Sequence, residues 1–199
     1  MIPLGRVFVL AASVALALLA TSVRDATAEP KACGEVQRAL PKPKQRDGGR
    51  PPLLIGDSVL LRGVKRAAAT GFEVNVRGCR PFVEGVRIVR SRRRAGTLPR
   101  VVVLALGANW VVPEREVEWA LAEVGDRRAL VLVTPREPGG GSGADARVIR
   151  AAGASHPDRI RVLDWIAFSR GHPGWFYGDG LHLTPHGARA YLRLLRRVI

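Results

Sequence analysis

Residues 52–61 read Pro-Leu-Leu-Ile-Gly-Asp-Ser-Val-Leu-Leu, a short apolar run that ends in a Gly-Asp-Ser turn. The run at 53–55 is typical of a strand that is buried on both faces. After Gly56 and Asp57 the apolar residues recur at helical spacing, so Ser58 lies between a strand and a helix. Ser58 is therefore either the N-cap of that helix or a nucleophile at the end of the strand. The choice depends on which other residues reach the same place.

The rest of the chain alternates between strand-like and helix-like patterns. After the first run, four further apolar stretches indicate strands, at 72–76, 101–106, 130–133 and 160–163. Apolar residues at helical spacing follow these stretches, at 60–68, 83–90, 117–124, 144–154 and 188–199. Parallel strands need crossover connections, which are usually helices. The sequence therefore predicts a five-stranded parallel sheet between two helical layers.

Chemically capable residues follow several of the predicted strands. Ser58 follows the first, Gly78 the second and Asn109 the third, whereas Asp179 and His182 lie beyond the fifth. In an open α/β sheet, ligands bind outside the carboxyl ends of the strands. We therefore expect these five residues to meet at one edge of the sheet.

Their residue types fit nucleophilic catalysis on an acyl ester. A serine needs a base within hydrogen-bond reach, which His182 supplies, and Asp179 can orient the imidazole through its other nitrogen. The backbone N–H groups of Ser58 and Gly78 and the side chain of Asn109 are candidate donors to the oxyanion. Each residue alone has an ordinary structural explanation: a helix cap, a surface ion pair or a turn. The combination favours catalysis.

At these residues the chain resembles the SGNH/GDSL hydrolase family. The blocks that carry the resemblance begin at Gly56, Gly78, Gly107 and Asp179 and lie within residues 52–199. The resemblance implies a flavodoxin-like three-layer αβα sandwich and acyl-ester hydrolysis or acyl transfer through a serine ester. It implies no metal and no organic cofactor. The first and last blocks look closest to the extracytoplasmic SGNH domains of bacterial O-acetyltransferases.

The N-terminus predicts export. Residues 1–28 combine Arg6, an apolar run at 7–20 and an Ala-Thr-Ala cleavage pattern, which is typical of a secretory signal peptide. The apolar run is shorter than the roughly 20 residues that span a bilayer, so we expect no transmembrane segment after cleavage. Residues 29–51 are rich in Pro, Lys and Gly and are interpreted as a linker or arm. Residues 52–199 form the predicted catalytic domain, in a secreted or extracytoplasmic protein.

The two cysteines and the charge agree with a location outside the cytoplasm. Cys33 and Cys79 are the only cysteines, and in an oxidising compartment a disulfide between them is expected, with free thiols as the alternative. The formal net charge is +15. Such a charge attracts anionic polymers of the cell envelope, unless the abundance of arginine only reflects coding bias. No nucleic-acid partner is expected.

The sequence predicts an exported serine esterase that hydrolyses short-chain acyl esters of a carbohydrate or small molecule. One alternative is an O-acetyltransferase that acts on a cell-wall or surface polysaccharide. A second alternative is an envelope-binding domain without catalysis. Hydrolysis is favoured because the chain contains no segment that resembles a membrane-embedded acyl donor.

Overall fold

The computed structural model describes residues 33–42, 49–140 and 143–199. It contains a six-stranded sheet in the order β1-β3-β2-β4-β5-β6. The strands are β1 (Gln37–Ala39), β2 (Leu53–Gly56), β3 (Glu73–Val76), β4 (Val101–Ala105), β5 (Ala129–Val133) and β6 (Ile160–Leu163). Strands β2 to β6 are mutually parallel, and β1 pairs with β3 in the antiparallel direction. The predicted signal peptide, residues 1–28, lies outside the described residues.

Helices cover both faces of the sheet. They are α1 (Val64–Ala69), α2 (Phe82–Arg94), α3 (Glu114–Val124), α4 (Ala144–Ser155), α5 (Trp165–Phe168) and α6 (Pro185–Leu195). One apolar core joins the sheet to α1, α5 and α6, and a second core joins its other face to α2, α3 and α4. The two cores arise because successive side chains of each buried strand point to opposite faces. The three-layer α/β architecture predicted from the sequence is confirmed.

The prediction of a purely parallel sheet of five strands was incomplete. The five parallel strands are present, but Gln37–Ala39, within the segment interpreted as a linker or arm, adds an antiparallel edge strand. This strand is three residues long and mostly exposed, so it has no alternation of apolar and polar residues that could indicate it. Its backbone pairing with β3, rather than a buried face, holds it in the sheet.

None of the helices in the described ranges is long and apolar enough to cross a membrane.

Candidate active site

Ser58 lies at the end of β2, where the buried strand turns directly into a 3-10 helix, Ser58–Gly63. Asp57 caps this helix, because its carboxylate accepts a hydrogen bond of 3.1 Å from the Val59 N–H. The serine is therefore the first helical residue and not the cap. Its own N–H has no partner within the helix, as is usual at a helix start.

Three side chains form a continuous hydrogen-bonded chain at this edge of the sheet. His182 Nε2 lies 3.0 Å from Ser58 Oγ, and His182 Nδ1 lies 2.6 Å from Asp179 Oδ2. With the imidazole proton on Nδ1, His182 donates to Asp179 and accepts from the Ser58 hydroxyl. The structure thus brings Ser58, His182 and Asp179 together in the geometry that activates a serine nucleophile.

A tight turn shapes the segment that carries Asp179 and His182. Gly180 has a φ of +66°, a left-handed conformation that glycine adopts without strain. The second carboxylate oxygen of Asp179 accepts from the N–H groups of Leu181 and His182, both at 2.9 Å. The hydrogen bond from His182, together with the backbone bonds, lowers the pKa of Asp179 to about 2. Asp179 is therefore an anion throughout the range in which an imidazole changes charge.

The β5–α4 connection fixes this turn from the other side. Arg136 Nε donates to the Gly180 carbonyl at 3.0 Å, and the Gly139 N–H donates to the Asp179 carbonyl at the same distance. The Arg136 guanidinium also lies 4.1 Å from the centre of the Phe176 ring. No sequence pattern indicates this contact with the acid–base segment, because it depends on the packing of two loops that are distant in sequence.

Asp57 joins the serine turn to the loop after β4. One carboxylate oxygen accepts from Val59, and the other accepts from the Ala108 N–H at 3.3 Å. The side chain is 1% exposed, and this burial raises the pKa of Asp57 to about 6. Asp57 thus braces both the serine turn and the neighbouring loop that carries Asn109.

Asn109 presents an unused donor. Its Nδ2 atom is buried and has no hydrogen-bond partner among the described residues. An unpaired buried donor costs free energy unless a ligand satisfies it. Asn109 follows Ala108, which Asp57 ties to the serine turn. This amide is suited to bind an oxygen that develops negative charge beside Ser58.

Gly78 lies against the N-terminal segment of the described chain. A Cβ atom at this position would meet the Cys33 carbonyl oxygen at 2.5 Å, so only glycine fits. The neighbouring Cys79 has a φ of +51° and is bonded to Cys33 by the predicted disulfide, which is confirmed. The disulfide therefore fixes the loop that carries Gly78, one of the three candidate oxyanion donors.

Sequence reasoning missed Arg80, which is completely buried below the site. Its guanidinium donates to the carbonyls of Gly56 at 3.0 Å and Asn75 at 2.7 Å, and to the Asn75 side chain at 2.9 Å. Burial lowers the pKa of Arg80, and the adjacent Glu84 opposes this shift. Arg80 thereby links the last residue of β2 to β3. Nothing in the sequence distinguishes Arg80 from the many other arginines of the chain.

A cleft of about 220 Å³ opens at the serine. It is lined by Ser58, Val59, Leu61, Arg62, Tyr177, His182 and Leu183. The Tyr177 ring is 42% exposed, and the Arg62 guanidinium lies 5.2 Å from its centre. Of the aromatic triplet 175–177, Phe176 is buried in the core, Trp175 stacks on Trp165, and Tyr177 alone lines this cleft. Trp110, which follows Asn109, is 63% exposed.

The arginine cluster at 90–94 does not lie at the site. It forms the carboxyl end of α2, whereas the Gly78 loop precedes the amino end of the same 13-residue helix. Such a helix is about 20 Å long. Three of the arginines are ion-paired: Arg90 and Arg93 with Glu123, and Arg92 with Glu73. We therefore assign no steering of substrate to this cluster.

In the described part of the chain, no group of three or more His, Cys, Asp or Glu side chains is arranged to hold a metal ion.

No protein-family model matches the chain. In sequence it is 29% identical over 147 residues to a peptidoglycan O-acetyltransferase, OatA, of Listeria monocytogenes and 29% identical over 147 residues to the O-acetyltransferase OatA of Staphylococcus aureus. These matches cover 73% and 72% of this chain but only 23% and 24% of the relatives. The chain thus spans about a quarter of the length of these curated relatives.

Solved structures show the same fold. The catalytic domain of Streptococcus pneumoniae OatA, with a methylsulfonyl adduct, aligns with a TM-score of 0.61 at 23% identity and covers 75% of this chain and 92% of that domain. A protein from Slackia heliotrinireducens described as an SGNH hydrolase aligns with a TM-score of 0.58 at 16% identity, over 75% of this chain and 98% of its own.

Proposed function

This chain has the fold of the SGNH hydrolases, and from that premise we propose that it is a serine enzyme that transfers an acetyl group to a hydroxyl of a cell-wall glycan. The observation that carries the proposal is the hydrogen-bonded chain from Ser58 through His182 to Asp179, beside the unpaired amide of Asn109. The sequence similarity to two O-acetyltransferases supports transfer over hydrolysis.

The first half of the reaction forms an acetyl-enzyme. Ser58 Oγ attacks the carbonyl carbon of the acetyl donor while its proton passes to His182 Nε2, and Asp179 stabilises the imidazolium. The negative charge on the carbonyl oxygen is held by the Asn109 amide and the Ser58 N–H, with the Gly78 N–H as a third donor. The tetrahedral intermediate then collapses, and the leaving oxygen takes the proton from His182.

The second half regenerates the serine. A sugar hydroxyl enters the cleft, gives its proton to His182 Nε2 and attacks the acetyl carbonyl. The bond to Ser58 Oγ breaks, and the proton returns to that oxygen. Water in place of the sugar would make the product free acetate. The cleft wall formed by Tyr177 and Arg62 offers an aromatic face and a cation on which a sugar can lie.

Hydrolysis remains the second candidate, because the same three side chains serve water and sugar alike. The exposure of the site supports it: the side chains of Asp179 and His182 are 46% and 44% exposed. Water therefore reaches the imidazole in the free enzyme. The third candidate, an envelope-binding domain without catalysis, gives no reason for the unpaired Asn109 amide. An extracytoplasmic location is part of the proposal.

The test uses p-nitrophenyl acetate as donor and chitooligosaccharide or peptidoglycan fragments as acceptor, with wild type beside Ser58→Ala. We expect acetylated glycan, detected by mass spectrometry, from wild type alone. Free acetate without acetylated glycan, again only in wild type, would favour the esterase. Equal release of p-nitrophenol by both proteins would contradict any serine mechanism.

A further inference from the structure

The two helical layers carry charge in different ways. On the exposed side of α1 and the preceding 3-10 helix lie Arg62, Lys65 and Arg66, at the spacing of one helical stripe. Residues 58–70 include no Asp or Glu. All three residues are exposed, and in the described ranges none of them forms an ion pair with an acidic residue.

A second cationic stripe runs along α6 and its continuation. Arg189, Arg193, Arg196 and Arg197 are exposed, whereas the residues between them are mostly buried. Residues 185–199 also include no Asp or Glu. Helix α6 packs directly against the 3-10 helix at 58–63. The two stripes therefore lie on one face of the molecule, which we call the α1–α6 face.

In the opposite layer, formed by α2, α3 and α4, acidic side chains pair with several of the basic ones. Arg90 and Arg93 pair with Glu123, and His156 lies 3.1 Å from Glu118. Beside this layer, Arg159 pairs with Asp126 at 2.7 Å. Arginine is thus abundant on both layers, but acidic residues lie among the arginines of α2, α3 and α4, whereas the stripes of the α1–α6 face contain none. Coding bias would enrich arginine everywhere and does not predict this difference.

Aromatic rings hold several of these cations in place. The guanidinium of Arg193 lies 5.8 Å from the centre of the Trp175 ring, and that of Arg197 lies 5.0 Å from the centre of the Phe168 ring. A guanidinium on a ring keeps its N–H groups free for anions, and its planar fork matches phosphate oxygens. Within the stripes at 62–66 and 189–197, no large apolar side chain is exposed that could insert into a lipid layer.

We propose that the α1–α6 face binds a linear phosphate-bearing polymer of the cell envelope. The two cationic stripes create a positive electrostatic potential on this face. The planar guanidinium groups of the arginines supply the hydrogen bonds to phosphate oxygens. Arg62 belongs to the first stripe and also lines the catalytic cleft, so a bound polymer would lie beside the cleft entrance. The proposal goes beyond the proposed function and stands without it, because binding can be measured on Ser58→Ala.

The test compares two triple variants of the full chain that lose the same charge from different layers. The first is Lys65→Gln with Arg66→Gln and Arg189→Gln on the α1–α6 face. The control is Arg94→Gln with Arg127→Gln and Arg147→Gln, all exposed residues around the opposite layer. Affinity for long-chain inorganic polyphosphate is measured at several salt concentrations, and thermal unfolding checks that both variants fold.

We expect the affinity of the first variant for polyphosphate to fall at least about tenfold. The slope of log affinity against log salt concentration should become shallower by about 2, because fewer cation–phosphate contacts release fewer counterions. The control should bind like wild type. Equal losses in both variants would overturn the proposal, because net charge alone would then explain binding. Tighter binding to phosphatidylglycerol vesicles, to poly-L-glutamate or to duplex DNA than to polyphosphate would also overturn it.

Discussion

The Ala108 N–H donates a hydrogen bond of 3.3 Å to Asp57 Oδ2, and this bond ties the loop of the candidate oxyanion donor to the turn of the candidate nucleophile. The other oxygen of Asp57 is already used by Val59. One buried carboxylate therefore sets the relative positions of Ser58 and Asn109. Its burial has a measurable consequence for stability.

Asp57 should make the protein less stable as the pH rises. Because the pKa of Asp57 is raised from 3.8 to about 6 in the folded state, its contribution is fully present below about pH 4 and is lost as the pH rises through 6. The loss amounts to about 3 kcal/mol of unfolding free energy. Asp57→Asn should remove this pH dependence, as urea unfolding from pH 4 to pH 7.5 would reveal. Parallel pH curves for both proteins would contradict the assignment.

Asn109→Ala should impair catalysis without loss of stability. The Asn109 Nδ2 donor has no partner to lose in the fold, so its removal leaves stability unchanged or raises it slightly. The turnover number should fall by about 10²- to 10³-fold, as for other oxyanion donors. The matched control is Asn75→Ala, which removes an acceptor of buried Arg80 and should lower the melting temperature. A destabilised Asn109→Ala with normal turnover would reverse our assignment.

Ser58, His182 and Asp179 should act as one unit. Ser58→Ala and His182→Ala should each lower turnover by about 10⁴-fold or more, and the double variant should lose little beyond either single change. Because the pKa of Asp179 is held at about 2, the pH–rate profile should show no step from this carboxyl above about pH 3. Additive losses in the double variant would show that the residues act independently.

The disulfide should stabilise the fold and the Gly78 loop together. Cys33–Cys79 closes a sequence separation of 46 residues, for which chain entropy predicts about 4 kcal/mol. Cys33→Ser with Cys79→Ser should therefore unfold at lower urea concentration and lose turnover. Cys33→Ser with Cys79→Gly should be more stable than this double serine variant by about 1 kcal/mol, because glycine tolerates the φ of +51° at position 79. Equal stability of the two variants would contradict the expected backbone strain of a non-glycine residue at position 79.

Much of this structure was accessible from local patterns. The alternation of unbroken apolar runs with helical periods predicted the parallel strands β2 to β6, because a strand buried on both faces needs apolar residues throughout. The same alternation placed Ser58 and the segment 179–182 at one edge, since parallel strands end together. The disulfide followed from two cysteines in a chain expected to be exported.

Other features depended on contacts that no local pattern encodes. Edge strand β1 is held in the sheet by backbone pairing with β3. Its side chains are mostly exposed, so its sequence shows no pattern that would indicate a strand. Three sets of hydrogen bonds join segments that are distant in sequence. Arg80 donates to the carbonyls of Gly56 in β2 and Asn75 in β3. The Ala108 N–H donates to Asp57, and Arg136 donates to the Gly180 carbonyl. The cationic α1–α6 face likewise required two stripes to pack side by side. Sequence predicted which residues would carry the chemistry, whereas tertiary packing decided their distances, burial and charge balance, because these arise only when separate segments meet.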